Sequence, residues 1–553
     1  MFEKILKIIG IILALAIIGT IILFVVIIVG FSRNTKRLDE KRDERRAKLT
    51  EEFHRDMQQY YKLNRGDYTI VSDFFERGTS YSLIRFKIRG EDQVREVKYE
   101  YGGWNFKDMG KYPMPTATPT PPPTEVPRDL KGLQVTLLDW WSDESWDVAV
   151  NGYKEAWLDQ LHQVENIYDF RIQRKGLLGL SGQEYAEAVY LSIANDEPLG
   201  QIITLESRWV SPLLSTLLAE GMLLDVSKTE TVDWNDDKWN AGVTELMRIN
   251  GKQYGFARVA GQAGVGVFIN RKIFRELGIN PDLPYDLQKE GKWSWEEFLQ
   301  LCEKLTADTD NDGVTDVYAV TGAPYVLCNA ALLANDTSVV TKDENGFLKA
   351  NPDNPSVSEA LSFVRSLLDA GYYIQSEEKY NPQRPFCDWF AAMYVDDELV
   401  DTTTIRVEAP DLEYGFVSFP YGPNAGSSRS ILNEEILVVP NCTETAERLD
   451  DILFAYNWYA TVPEGYEYFS GCKYPYWQLS YDWKFNEDRA WDETIRFMFH
   501  DYPQTMQTGY LLPDYINESW PNEIMNGSGI EEVLAKWTPQ WEEETEAFNE
   551  AFR

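Results

Sequence analysis

The densest concentration of chemistry in this sequence is the segment Asp308-Thr309-Asp310-Asn311-Asp312-Gly313-Val314-Thr315-Asp316. It sets carboxylates at positions 1, 3, 5 and 9 of a loop and glycine at position 6, which is how a calcium-binding loop begins. Oxygen ligands suit a hard cation, and the glycine permits the sharp turn that gathers the three leading carboxylates. The Val314 carbonyl supplies a further ligand. Position 12 is Ala319 instead of the bidentate Glu of an EF-hand, so a remote carboxylate or waters must complete the shell. A structural Ca2+ held by Asp308, Asp310, Asp312, Val314 and Asp316 is the expectation. The plainer alternative is an exposed acidic turn whose repulsion is screened by salt.

Catalytic patterns are sparse by comparison. The histidines are His54, His162 and His500, none in an HExxH arrangement, and neither a GxSxG elbow nor a phosphate-binding loop occurs. Cys302, Cys328, Cys387, Cys442 and Cys472 are widely separated without a CxxC pair, which argues against a zinc knuckle or a disulfide scaffold and for buried apolar thiols. With 89 acidic residues, a carboxylate pair of the glycosidase kind stays open as an alternative. No organic cofactor is indicated. A formal net charge of −36 opposes phosphate backbones, so nucleic acid is excluded as a partner.

These residues need a scaffold, and 553 residues exceed one ordinary core. Residues 1–33 read as a retained transmembrane anchor: Ile8 to Phe31 is uncharged and apolar, about 20 such residues suffice to span a bilayer, and no cleavage site is evident. The basic residues from Arg33 to Lys48 would, taken alone, keep the following chain in the cytoplasm; the downstream sequence argues for an extracellular large domain on a single-pass cell-membrane anchor. Residues 34–112 read as a helical stalk and a small strand-rich α+β domain, in which Ile84, Phe86 and Ile88 and then Val97, Tyr99 and Tyr101 alternate with charged residues around a turn at Gly90-Glu91-Asp92. Residues 113–127, PMPTATPTPPPTEVP, form an extended linker. The functional body is 128–553, where helical and strand patterns alternate in the α/β manner. Within it, Ser294 and Glu297 open a helix whose buried face is Phe298, Leu301, Cys302 and Leu305. Ile530, Val533, Leu534, Trp537 and Trp541 mark another near the C-terminus.

Several ordered segments of that body are similar to the extracellular solute-binding proteins of ABC transporters, in the sugar-binding group that includes maltose-binding protein. They are Leu130-Lys131-Gly132 leading to Asp139-Trp140-Trp141, Glu220 to Asp225, Asn250 to Gly255, Phe268 to Phe274, Leu277 to Ile279, Trp293 to Phe298, Tyr414 to Pro423 and Ile436 to Pro440. The resemblance implies a two-lobed periplasmic-binding-protein-like α/β fold, joined by crossing strands and closing on a ligand by hinge motion. It also implies an oligosaccharide ligand, ABC permease subunits as partners, and no catalysis. Sugar C–H faces pack on flat rings while carboxylates, amides and Arg bond the hydroxyls. Trp209, twelve residues ahead of Gly221, stands where the resemblance implies a sugar-stacking ring, beside Arg208. Trp141, Asp143 and Glu144 occupy the implied cleft loop, Tyr325 a stacking position after Pro324, and Trp520 an approximate last aromatic site. Leu399 and Ala323 replace residues the group commonly offers to its ligand, so Arg258, Gln262 or Trp389 is expected to compensate. For each aromatic the competing role is core packing. The main functional alternatives are a ligand-binding sensor or scaffold uncoupled from transport, and a glycan-degrading enzyme.

Overall fold

The computed structural model describes residues 53–55, 57–58, 62, 68–74, 81–88, 94–100, 105–111, 128–140, 153–177, 179–206, 211–236, 238–258, 264–378, 381–397, 404–432, 435–463, 488–495, 497–498, 501–513 and 519–553. The apolar run 8–31 and the proline-rich segment 113–127 lie outside them. Among the described residues no helix is long and apolar enough to cross a membrane. The chain separates into two compact units, one up to Met114 and one from Pro115 on.

The first unit holds an antiparallel meander of β1 (Tyr68–Phe74), β2 (Tyr81–Ile88), β3 (Val94–Glu100) and β4 (Asn105–Lys111). Ile84 lies opposite Val97, the register that the alternating pattern predicts. Phe53, from a short helical segment, is buried and meets the rings of Tyr68 and Phe86, each at 5.5 Å.

The second unit begins with β5 (Leu133–Asp139), α1 (Tyr153–Tyr168), β6 (Phe170–Gly176), α2 (Gly182–Ala194), β7 (Ile202–Glu206) and α3 (Ala241–Leu246). It continues with β8 (Val265–Asn270), α4 (Trp295–Leu305), β9 (Tyr318–Gly322), α5 (Pro324–Ala334), α6 (Pro355–Asp369), β10 (Ala391–Asp397) and β11 (Tyr414–Ser418). β12 (Glu435–Val438) and α7 (Leu449–Tyr459) follow, then α8 (Ser519–Met525) and α9 (Ile530–Glu550). Two four-stranded sheets result, ordered β12-β7-β5-β6 and β9-β10-β8-β11, each the centre of one lobe. Every residue of β8 and β10 is buried, as unbroken apolar runs covered on both faces should be. In the first lobe Trp157 of α1 donates its indole N–H to the Tyr459 carbonyl at 3.0 Å and so pins α7 over the sheet. In the second, Ser294 caps α4 through the Glu297 N–H, and Trp295, Phe298, Leu301, Cys302 and Leu305 form its buried face. Helix α9 runs through Pro539 and buries Val533, Leu534 and Trp541. Cys302, Cys328, Cys387 and Cys442 are buried free thiols, and burial holds all four above the ordinary thiol range.

The described strands of the first sheet lie before Arg258 and again from Glu435, and those of the second lie between Gly264 and Leu432. Phe256 and Leu437 pair antiparallel through backbone hydrogen bonds of 2.9 and 2.7 Å. Gly264, at φ +97°, sits so close that a Cβ there would lie 2.2 Å from the Ile431 carbonyl oxygen. Ile431 in turn pairs in parallel with Thr505.

Candidate functional site

Ligands of open α/β sheets gather outside the carboxyl ends of the strands, and each sheet here has a cavity at that end. In the first lobe, β5 ends at Asp139 and pairs in parallel with β6, which carries Arg174. The two side chains form an ion pair, 4% and 18% exposed. Around them a cavity of about 90 Å³ is closed by Thr204 of β7, Glu435 and Leu437 of β12, Tyr456 and Tyr459 of α7, and Ala257-Arg258. The Arg258 guanidinium lies 5.6 Å from the centre of the Tyr459 ring, within cation–π reach. Burial raises Tyr456 well above the ordinary phenol range, so its hydroxyl stays neutral. The site therefore offers balanced charge and aromatic surface.

In the second lobe a cavity of about 340 Å³ opens where β9 ends at Gly322, within the size range of small-molecule sites. Tyr325, in the first turn of α5, forms one wall; Gln375, Ser376, Glu377 and Glu378 form another; Asn522 and Asn526 form the third. Tyr373 donates its hydroxyl to the Gly322 carbonyl at 2.7 Å and Thr321 its hydroxyl to Ile374 at 2.7 Å, fixing the acidic segment beside the strand end. Arg365 donates to the Ser528 carbonyl at 2.8 Å and holds the turn after α8.

Of the residues singled out by sequence, Arg258 lines the first cavity and Tyr325 the second. Trp141, Asp143, Glu144, Arg208, Trp209, Gln262 and Leu399 lie outside the described residues. Trp520 does not join them: it is 1% exposed and packs edge-on against Trp541 at 5.9 Å. Helical phase is the reason, since residues two apart point to nearly opposite sides, so Trp520 faces the core while Asn522 and Asn526 line the cavity. Trp389 is also elsewhere, before the amino end of β10 and under the Lys272 ammonium at 4.3 Å. Asp139, Arg174, Glu435 and Tyr459, with Gln375, Glu377, Glu378 and the two asparagines, were not anticipated. Only Asp139 carried a signal, as the polar residue closing an apolar strand.

The acidic loop is a third cluster. Oxygens of Asp308, Asp310 and Asp316 lie within 4.8 Å of one another. Asp308 accepts from the Gly313 N–H at 2.8 Å and Asp312 from the Val314 N–H at 2.7 Å. Gly313, at φ +89°, makes the turn. The Thr309 hydroxyl, and then its N–H, hold the Asp316 carboxyl below the usual carboxylate range. An all-oxygen donor set with three converging carboxylates fits a hard cation; Asp312 stands outside the convergent three.

Comparison with known proteins places this geometry. The family model for bacterial extracellular solute-binding proteins matches residues 192–477. A binding protein of Brucella abortus (strain 2308) is 24% identical over 234 residues, 39% of this chain and 51% of that one, and a binding protein of Brucella suis biovar 1 (strain 1330) matches to the same extent. The chain thus spans about half the length of the curated relatives it matches. Among solved structures, the galacto-N-biose-/lacto-N-biose I-binding protein of the Bifidobacterium longum ABC transporter, in complex with lacto-N-biose, has a TM-score of 0.52 at 13% identity, covering 76% of this chain and 99% of that one. M. tuberculosis UspC has a TM-score of 0.51 at 14% identity, covering 75% and 100%. A Rhizobium etli sugar transporter in an open conformation has a TM-score of 0.51 at 16% identity, covering 74% and 99%. All three share the two-lobed α/β fold.

Proposed function

The chain belongs to the bacterial extracellular solute-binding proteins, and from that premise we propose that it captures a carbohydrate between its lobes, unaltered, for import by an ABC-type permease. The observation that carries this reading is the pair of cavities at the carboxyl edges of both sheets, Arg258 and Tyr459 on one and Tyr325 with carboxylates and amides on the other. Rings for sugar faces and bidentate groups for hydroxyls are the two requirements of saccharide binding, and similarly folded proteins include one in complex with lacto-N-biose. Closure over the ligand follows if the closed form binds it more tightly than the open one.

The N-terminal run 8–31 acts as the membrane anchor in this proposal. Segment 34–112 is then the stalk and 113–127 the spacer, with the large domain outside the cell. The loop Asp308–Asp316 holds a structural Ca2+, which would join its carboxylates and the Val314 carbonyl into one rigid turn. A glycan array probed with the full-length chain in detergent tests the main claim. Capture of at least one glycan class, confirmed by calorimetry, is expected; release of a new reducing end from a bound glycan would turn the protein into an enzyme, and no binding to any glycan would remove the proposal.

A further inference from the structure

The two cavities differ in charge. The first sets Asp139 and Glu435 against Arg174 and Arg258. The second has Glu377 and Glu378 among uncharged residues, and among the described residues its lining includes no lysine or arginine. Arg384, which feels the charge of Glu378, is itself paired with Asp388 at 2.7 Å. Glu378 accepts from the Asn381 side-chain amide and so keeps a fixed position.

A sugar unit entering here meets acceptors that suit hydroxyl and ammonium donors, together with the amides of Gln375, Asn522 and Asn526. A carboxylate or sulfate would lose its hydration and find like charge in place of a partner. We infer that the second-lobe cavity is a specificity filter, admitting neutral or amino-bearing sugar units and rejecting those that carry a carboxylate or sulfate. The inference rests on the reading of the chain as a carbohydrate-capturing protein and adds the class of carbohydrate.

The test uses the full-length chain and an array in which neutral, de-N-acetylated, uronate and sulfated glycans share backbones. Calorimetry then follows on matched neutral and acidic pairs for the wild type and for Glu377→Gln combined with Glu378→Gln. Both glutamates are exposed, so the variant should fold. The acidic member of a bound pair should be weaker by about tenfold or more in the wild type, as expected of like-charge juxtaposition, and the acidic-to-neutral Kd ratio should fall about fivefold in the variant. A uronate or sulfated glycan as the tightest binder would overturn the filter while leaving carbohydrate capture intact. So would a Kd ratio that the double substitution does not move. Failure to bind any glycan would instead remove the functional proposal, and the filter with it.

Discussion

At the scale of single residues, the Asp139–Arg174 pair is the most consequential contact near a cavity. Both side chains are largely withdrawn from water, and removing one partner of such a pair leaves the other buried and uncompensated, at a cost of about 3–5 kcal/mol. Asp139→Asn should therefore lower unfolding free energy by that order in denaturant titrations, and Arg174→Gln added to it should recover a large part. A loss below about 0.5 kcal/mol, the range of an ordinary surface substitution, would mean that the pair is solvated. This partnership was not legible in the sequence because only the parallel register of β5 and β6 brings the two residues together. Arg258 and Tyr325, each following a segment whose place in the fold the resemblance implies, line the two cavities. The resemblance nominates Trp520 as an approximate aromatic site, whereas the phase of α8 turns it to the core and gives the cavity to Asn522 and Asn526.

Among the elements, α4 shows what local sequence specifies: a cap residue and an apolar repeat sufficed to give its start and its buried face. The end of α3 shows what it does not. Lys342, from the short strand Val340–Lys342, donates to the carbonyls of Glu245, Leu246 and Arg248 at 2.8, 2.7 and 2.7 Å, and nothing near residue 342 announces a partner a hundred positions earlier. Burial pushes the Lys342 ammonium down to about 8, with Glu245 opposing the shift. Between about pH 8 and about pH 10.5 the unfolded chain, with the higher pKa, holds more protons than the folded one, so this residue's contribution to stability increases as pH rises across that window. Lys342→Met should cost about 1–3 kcal/mol near neutrality, by leaving carbonyls without donors, and the gap to wild type should widen toward pH 10. A gap that is flat with pH would show that the amine titrates as in water. The acidic loop is tested in the same terms. If Ca2+ joins Asp308, Asp310 and Asp316, a hundredfold excess over Kd stabilises the chain by about 2.7 kcal/mol, and melting should rise with calcium, fall with chelator, and lose both responses in Asp308→Asn. Unchanged melting at saturating calcium would make the loop an acidic turn and nothing more.

For the whole molecule, the ordered family segments made the two lobes legible, but not the contacts by which the lobes are coupled. Arg258 and Glu435, the last and first described residues of the first sheet's side of the chain, both line its cavity, so closure in the proposed function would act on the described segments next to them. Gly264, just ahead of β8, makes the tight approach to Ile431. Its φ of +97° excludes most side chains, and the Ile431 carbonyl 2.2 Å from an added Cβ excludes the rest unless the two strands separate. Gly264→Ala should cost about 1–3 kcal/mol of stability through backbone strain, and by prising Ile431 away it should also disturb the pairing of Ser430–Ile431 with Gln504–Thr505. Gly221→Ala is the matched control: φ there is +67°, with nothing within 4 Å of the added Cβ, so it carries the backbone strain without the collision. The readouts are the thermal midpoint, the affinity for the glycan that the array identifies, and the decrease in radius of gyration on adding that glycan, measured by small-angle scattering. Both variants should melt lower than wild type, but only Gly264→Ala should lose affinity and compaction together, because only there does the substitution also force Ile431 away. If Gly264→Ala compacts and binds as Gly221→Ala does, the contact between Gly264 and Ile431 plays no part in closure.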